Sequence, residues 1–389
     1  MFKIVSRLLA LGFAMCVAAL AALVCALPAA ADDIRVHPGE SIQSAVDRAE
    51  PGDRIHVLPG IYHEHGRPCP TDTTKVCAVV VSKNGVSLIG ESREDRPVVL
   101  ENAGGQDTGI AIARKIAVGS QCLTTPAQRI HGAVVEGFLV RNFSGNGIFL
   151  MCVDDWTVAF NSAQNNATYG IFPSHSGRGE LHHNVASGAH DTGIYVGESH
   201  DVRVHDNVAH DNVSGFEVEN CTNVKVHGNT SFENTGGILM FIMPGLDVLA
   251  SHGNEIRDNF VVRNNSPNTC PPGDSVCLVP PGSGILAVAG DHNEVAGNLI
   301  LNNETVGIAV VDACTAFQIP PSACNSTALG FDPLPESTEI EGNTALDNGA
   351  NPQFGFPGAD LFWTGNGAGD CWEDNRANLL LPPQLPGCD

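Results

Sequence analysis

The stretch from Gly147 to Asn234 constrains the chain more than any other, because it repeats. Glycines recur at Gly147, Gly170, Gly193, Gly215 and Gly237, at spacings of 23, 23, 22 and 22. Each is followed by an isoleucine or phenylalanine. Asparagines stand 14 residues after four of them, at Asn161, Asn184, Asn207 and Asn229. A fixed period in the twenties is the mark of a solenoid, and it outranks any residue-by-residue assignment.

Inside one period, runs such as Val202-Arg203-Val204-His205 and Val224-Lys225-Val226-His227 alternate apolar and polar residues, which is strand rather than helix periodicity. The Leu-x-x-Leu-x-Leu frame of a leucine-rich repeat is missing. About three short strands with turns fill the period. The reading is an all-β, right-handed parallel β-helix, since parallel crossovers are almost always right-handed. Coils should then stack about 4.7–4.9 Å apart. The four asparagines should form a side-chain ladder and, by the same logic, occupy left-handed turn positions.

Ahead of the repeats, residues 1–31 have the layout of a secretory signal. Lys3 and Arg7 precede the apolar run Leu8 to Leu27, and Ala29-Ala30-Ala31 offers small residues for cleavage. An uncleaved anchor is the alternative for so long an apolar run. Residues 32–389 read as one domain. From Ser41, a good N-cap, Ile42, Ala45, Val46 and Ala49 recur at helical spacing, so a short helix should lid the first coil within a cap of about 32–62. Ile55 to Leu58 reads as the first strand. A segment of about 366–389 should close the far end.

Insertions interrupt the period near 243–253, 266–281 and 314–335, all beside the Gly-Ile-x-Val strand. Loops flanking one strand stack can wall a groove. Ten of the cysteines fall into near neighbours: Cys69 with Cys77, Cys122 with Cys152, Cys270 with Cys277, Cys314 with Cys324, and Cys371 with Cys388. In an exported chain these are disulfide candidates, leaving Cys221 as a buried apolar residue.

The sequence carries 43 acidic and 20 basic residues, for a net charge of −23. That excludes nucleic acid and anionic membrane surfaces as partners held by bulk field. After signal cleavage the expected product is a monomer, periplasmic or extracellular, with no membrane contact.

Register then nominates a site. Counting from each glycine, the third column holds Phe149, Phe172, Tyr195 and Glu217. The fifth holds Ser174, Gly197 and Glu219, and the next holds His175 and Glu198. Strand alternation turns Tyr195, Glu217 and Glu219 outward if Ile194 and Phe216 face inward. An imidazole, a phenol and three carboxylates on one face suit acid–base chemistry on a sugar. His175, Tyr195, Glu198, Glu217 and Glu219 are the catalytic candidates. Tyr169, Phe172, Asp191 and Arg203 are the candidates for substrate contact. A second column, His182, His205 and His227, stacks imidazoles on successive coils, with His183, Asp206 and His210 nearby. It is a candidate transition-metal site as much as a surface ring stack. Calcium is the other candidate cofactor.

The segments SIQSAVDRAEPGDRIHVLPGIY and YGIFPSHS…GIYVGESHDVRVHDNVAHDNVSGFEVEN…GGILMF resemble right-handed parallel β-helix repeat proteins of the pectate-lyase-like superfamily. With the DCWEDN…LPGC ending, the chain is similar to a group of exported bacterial β-helix proteins. That resemblance implies binding of, or action on, polysaccharide or oligosaccharide. Tyr169-Gly170-Ile171-Phe172-Pro173-Ser174 resembles the YGFDPH-like motif of alginate epimerases. Tyr169 and Pro173 match, Phe172 stands at the acid, and Ser174 stands at the histidine, with His175 one place on. A related β-helix family assists copper-enzyme maturation in the periplasm. Two functional expectations follow. One is a lyase, hydrolase or epimerase working in a groove over the Gly-Ile-x-Val stack. The other is a non-catalytic periplasmic binding or scaffold protein, metal-loaded through the histidine column.

Overall fold

A computed structural model describes residues 31–116 and 121–388. The signal segment thus lies outside the described residues, Ala31 apart. Among the described residues the chain winds into three long sheets of 14, 10 and 12 strands, parallel except at the edge strand Arg67–Pro68 of the last. The Val202-Arg203-Val204-His205 type of run builds the 14-stranded sheet. The Val208–His210 type builds the 10-stranded sheet, and the Gly-Ile-x-Val type the 12-stranded sheet. Ile148 pairs with Ile171, Ile171 with Ile194, Ile194 with Phe216, and Phe216 with Ile238, so residues one period apart do lie on adjacent rungs. These side chains fill the cylinder as one continuous apolar core.

Close approach explains the glycine column. A Cβ on Gly170 would lie 2.4 Å from the Gly193 carbonyl oxygen, and one on Gly215 2.6 Å from that of Gly237. No side chain fits between rungs there, whatever its backbone angles.

The asparagines do form a ladder, running from Asn161 through Asn184, Asn207, Asn229, Asn259, Asn298 and Asn343 to Asn375. They do not take the left-handed turn position, however. That falls to the residue just before each of them, at Phe160, His183 and Asp206, with φ of 55°, 54° and 53°. The asparagine side chain instead turns inward to satisfy backbone groups that the bend strips of partners. A second ladder runs through Asn212, Asn234, Asn264, Asn303 and Asn348. It is broken above Asn212 by Ala189, whose amide nevertheless donates to the Asn212 side chain.

The helix forms over Ile42–Arg48, with Ser41 Oγ accepting from the Ser44 amide and Ile42, Ala45 and Val46 buried. Ile55 does not open the sheets, because Asp33–Val36 precedes the helix and pairs with Arg54–Val57. Alternation in Asp-Ile-Arg-Val is strand-like, but its period partner lies beyond a helix that hides the repeat. Disulfides join Cys69–Cys77, Cys122–Cys152, Cys270–Cys277, Cys314–Cys324 and Cys371–Cys388, and Cys221 is free and buried. No helix among the described residues is long and apolar enough to cross a membrane.

Candidate functional site

The three insertions stand over the 12-stranded sheet and turn part of its outer face into a pocket. The loop around Met243 and the one carrying Ala316 and Phe317 follow their strands. The disulfide-closed loop carrying Ser275, Val276, Leu278 and Val279 precedes its strand. The space between these loops and the sheet, open mouth included, is about 600 Å³. The floor divides in two. Tyr169, Asp191, Tyr195, Glu217 and Glu219 form one half, and Leu239, Phe241, Leu286 and Val288 the other.

Strand register sets the polar half. Tyr195 pairs with Glu217 and Gly197 with Glu219. All three outward side chains are covered by the walls, with Tyr195 7 % exposed and both glutamates 6 %. Phe172 stacks on Tyr195 at 4.4 Å and 13°, and Tyr169 lies 4.7 Å and 4.8 Å from those two rings. A Cβ on Gly197 would press to 3.2 Å against both Phe172 and Tyr195, so glycine there gives the stack its room.

Burial governs the electrostatics. It pushes the Glu219 carboxyl from an ordinary 4.5 up to about 8, helped by the Asp191 charge. Burial raises Glu217 as well, again with Asp191 adding to it, and the nearby Ser214 and Thr192 hydroxyls oppose it more weakly. Asp191 is also raised by burial, but Thr192 Oγ1 donates to it at 3.0 Å and Tyr169 hydrogen-bonds to it, which favours its charged form. Tyr169 is held in its phenol form by burial and by the neighbouring acids. The result is a walled, aromatic-lined pocket in which burial holds Glu217 and Glu219 towards their neutral forms beside a more readily ionised aspartate.

The sequence candidates do not all meet here. His175 and Glu198 belong to a column of left-handed residues, with φ of 50° and 49°, where the chain leaves the strand. They turn away from the pocket floor and gather with Asp247 from the first insertion. His175 Nε2 lies 3.5 Å from Glu198 and 3.3 Å from Asp247. Arg203 is on the 14-stranded sheet, paired with Glu180 at 3.1 Å, and so is remote from Asp191. Alternation says which side of a strand faces out, but not on which of three sheets that strand lies.

The histidine column holds its register but not a cage. His182, His205 and His227 stack at 5.1 Å and 5.0 Å with ring planes 11° and 3° apart. In-plane lone pairs of parallel rings cannot converge on one ion. Glu180 and Asp206 also occupy the two nitrogens of His205. The three insertions wall the pocket where the sequence located them, but which of their side chains reach a site, Asp247 among them, carries no period and so no sequence signal.

Fold and pocket together define the class: a β-helix protein with a walled cavity on one sheet. The chain matches the model of the periplasmic copper-binding protein (NosD) family over residues 77–269 and 132–320, more than half its length, and it belongs to that family. Family and disulfides together make it an exported protein. No curated sequence matches the chain. Among solved structures, the A-module of mannuronan C-5 epimerase AlgE4 from Azotobacter vinelandii is 15 % identical. The alignment covers 86 % of this chain and 90 % of that one, with a TM-score of 0.53. The periplasmic alginate epimerase AlgG aligns at 14 % identity over 88 % and 83 %, with a TM-score of 0.52. DFA-IIIase from Arthrobacter chlorophenolicus A6, in complex with GF2, aligns at 14 % over 86 % and 80 %, with a TM-score of 0.53. These likenesses establish the parallel β-helix.

Copper in the family name calls for a test of the donors. Cuprous ion favours thiolate and thioether sulfur. Among the described residues the one free thiol, Cys221, is buried and engaged by the Ser199 amide and the Val196 and Glu219 carbonyls. It does not fit such a site. One imidazole with two carboxylates, as at His175, Glu198 and Asp247, fits a divalent ion instead, cupric ion included.

Proposed function

We propose that the protein binds an oligosaccharide in the walled pocket and carries out acid–base chemistry at a glycosidic bond. The observation that carries this reading is the splitting of carboxyl properties inside one aromatic-lined cavity. Glu219, neutral near pH 7, is placed to give a proton to a leaving oxygen. Asp191, the more readily ionised acid, serves as base or nucleophile. Environments that push neighbouring acids apart in this way mark acid and base roles. Glu217 as a neutral acid, and Tyr169 as a phenol, offer hydrogen bonds to sugar hydroxyls. Tyr195, backed by Phe172, provides a ring surface of the sort sugars stack on. The fold is also one on which epimerases of mannuronan and alginate are built.

The test is a screen of the purified protein against neutral and acidic oligosaccharides, read by product release and by calorimetry. Turnover of one class is expected. Glu219→Gln should lower kcat by at least about a hundredfold, the usual worth of a general acid, while Tyr195→Ala should weaken binding. A non-catalytic binding role is the second reading, favoured by the apolar half of the floor. Saturable binding without turnover, weakened by Tyr195→Ala, would select it. Glu219→Gln leaving an observed turnover intact would remove the catalytic assignment.

A further inference from the structure

Outside the pocket, one cluster stands out by its unmet chemistry. The His175 side chain is 4 % exposed. Its Nδ1 is hydrogen-bonded to Ser174 Oγ at 2.8 Å. Its Nε2 is buried and has no hydrogen-bond partner, although carboxylate oxygens of Glu198 and Asp247 stand 3.5 Å and 3.3 Å away. An ordinary imidazolium–carboxylate pair closes to about 2.7–2.9 Å with the N–H aimed at the oxygen. Neither contact does so here.

We propose that His175, Glu198 and Asp247 hold a divalent first-row transition-metal ion, leaving at least one coordination position open. The spacing fits an ion between the three donors. Bonds of about 2.0–2.2 Å at tetrahedral angles put ligand atoms about 3.3–3.6 Å apart, and both contacts of Nε2 fall there. One donor atom from each residue lies within 4.8 Å of the other two. Supporting contacts resemble those that orient metal ligands elsewhere. Ser174 fixes the imidazole ring. The other oxygen of Glu198 accepts from the Asp247 and Val248 amides at 2.7 Å and 3.0 Å. Asn220, the next rung of the same column, anchors the loop by donating to the Met243 carbonyl at 2.9 Å and accepting from its amide at 2.6 Å. The first insertion is thus tied down at both ends of the segment that delivers Asp247. Imidazole and carboxylate donors suit Zn²⁺, Mn²⁺, Fe²⁺ or Cu²⁺, and among these the general affinity order favours Cu²⁺. This site is independent of the saccharide reading, and its test contains no saccharide.

The experiment uses full-length protein freed of metal with a chelator, then titrated with Zn²⁺ and, separately, Cu²⁺ by calorimetry. One equivalent should bind and raise the melting temperature. His175→Gln should abolish that equivalent. Asp247→Asn should weaken it at least about tenfold, as loss of a ligand or its support does elsewhere. The Asp247 side chain is 42 % exposed on its loop, so its metal-free variant should melt with the wild type. The Cu²⁺ form should show electron-resonance splitting from a single imidazole nitrogen, lost in His175→Gln. His205→Ala should bind normally. Absence of stoichiometric uptake by the wild type overturns the proposal. So does uptake that His175→Gln and Asp247→Asn leave intact, or that His205→Ala removes.

Discussion

Replacing Asn207 with alanine is expected to destabilise the protein by about 3–5 kcal/mol, far out of proportion to one surface turn. Asn207 is 1 % exposed. Its Nδ2 donates to the Leu181 carbonyl at 2.9 Å and to Asn229 Oδ1 at 3.0 Å. Its Oδ1 accepts from the Asn184 amide at 2.9 Å and from Asn184 Nδ2 at 3.0 Å. Truncation therefore strands the Leu181 carbonyl and the Asn184 N–H inside the cylinder and takes one of two partners from the Asn184 and Asn229 side chains, which keep the Val158 carbonyl and the residue-207 N–H. Each buried orphan costs about 1–3 kcal/mol, offset in part by relaxation. His210→Ala, at a half-buried side chain one strand away, should cost under about 1 kcal/mol. Because a solenoid can lose coils separately, denaturant melts should be read beside hydrogen exchange of the Leu181 and Asn229 rungs. Equal stability of the two variants would mean that the ladder contributes no more than surface contacts do.

Glu219→Gln is expected to do the opposite, stabilising the fold at alkaline pH while removing the proposed acid. The Glu219 carboxyl ionises near 4.5 when unfolded and near 8 when folded, because the pocket desolvates it. Below pH 4.5 it is protonated in both states and contributes no penalty. Between about 4.5 and 8 the unfolded chain releases the proton and the native protein keeps it, so stability falls as pH rises. Above 8 the loss is complete, at about 4–5 kcal/mol for a shift of this size. The glutamine variant lacks that loss. Wild type and variant should therefore melt alike at pH 4 and diverge progressively towards pH 9, the variant being the more stable. Parallel melting curves across that range would show that Glu219 is not held neutral, and the acid role would fall with it. A residue that weakens its own fold to keep a proton is what functional sites tend to contain.

How far the sequence reaches depends on whether a feature obeys the period. Tyr195 over Glu217, and Gly197 between Ser174 and Glu219, were legible because strand rungs 22 or 23 residues apart must stack. So was His182 above His205. What lay beyond reach were departures from that count. Asp247, Val276 and Phe317 sit in insertions whose paths the repeat does not specify. His175 and Glu198 follow the register but leave the strand at a left-handed residue, which swings them away from the pocket floor. Arg203 lies off the site because a coil has three outward faces and alternation distinguishes only in from out. The second asparagine ladder was obscured by Ala189, which doubles the apparent spacing from Asn166 to Asn212.

Two of the pocket's walls are each pinned by a short crosslink of their own, Cys270–Cys277 and Cys314–Cys324, at sequence separations of 7 and 10. Rings so small constrain the unfolded chain less than long loops would. Their effect is local, on the shape of what stands over Glu217 and Glu219. Under reducing conditions the cylinder, held by its ladders and apolar stack, would persist while the cavity lost its sides. Binding competence would then depend on an oxidising surrounding even though folding did not.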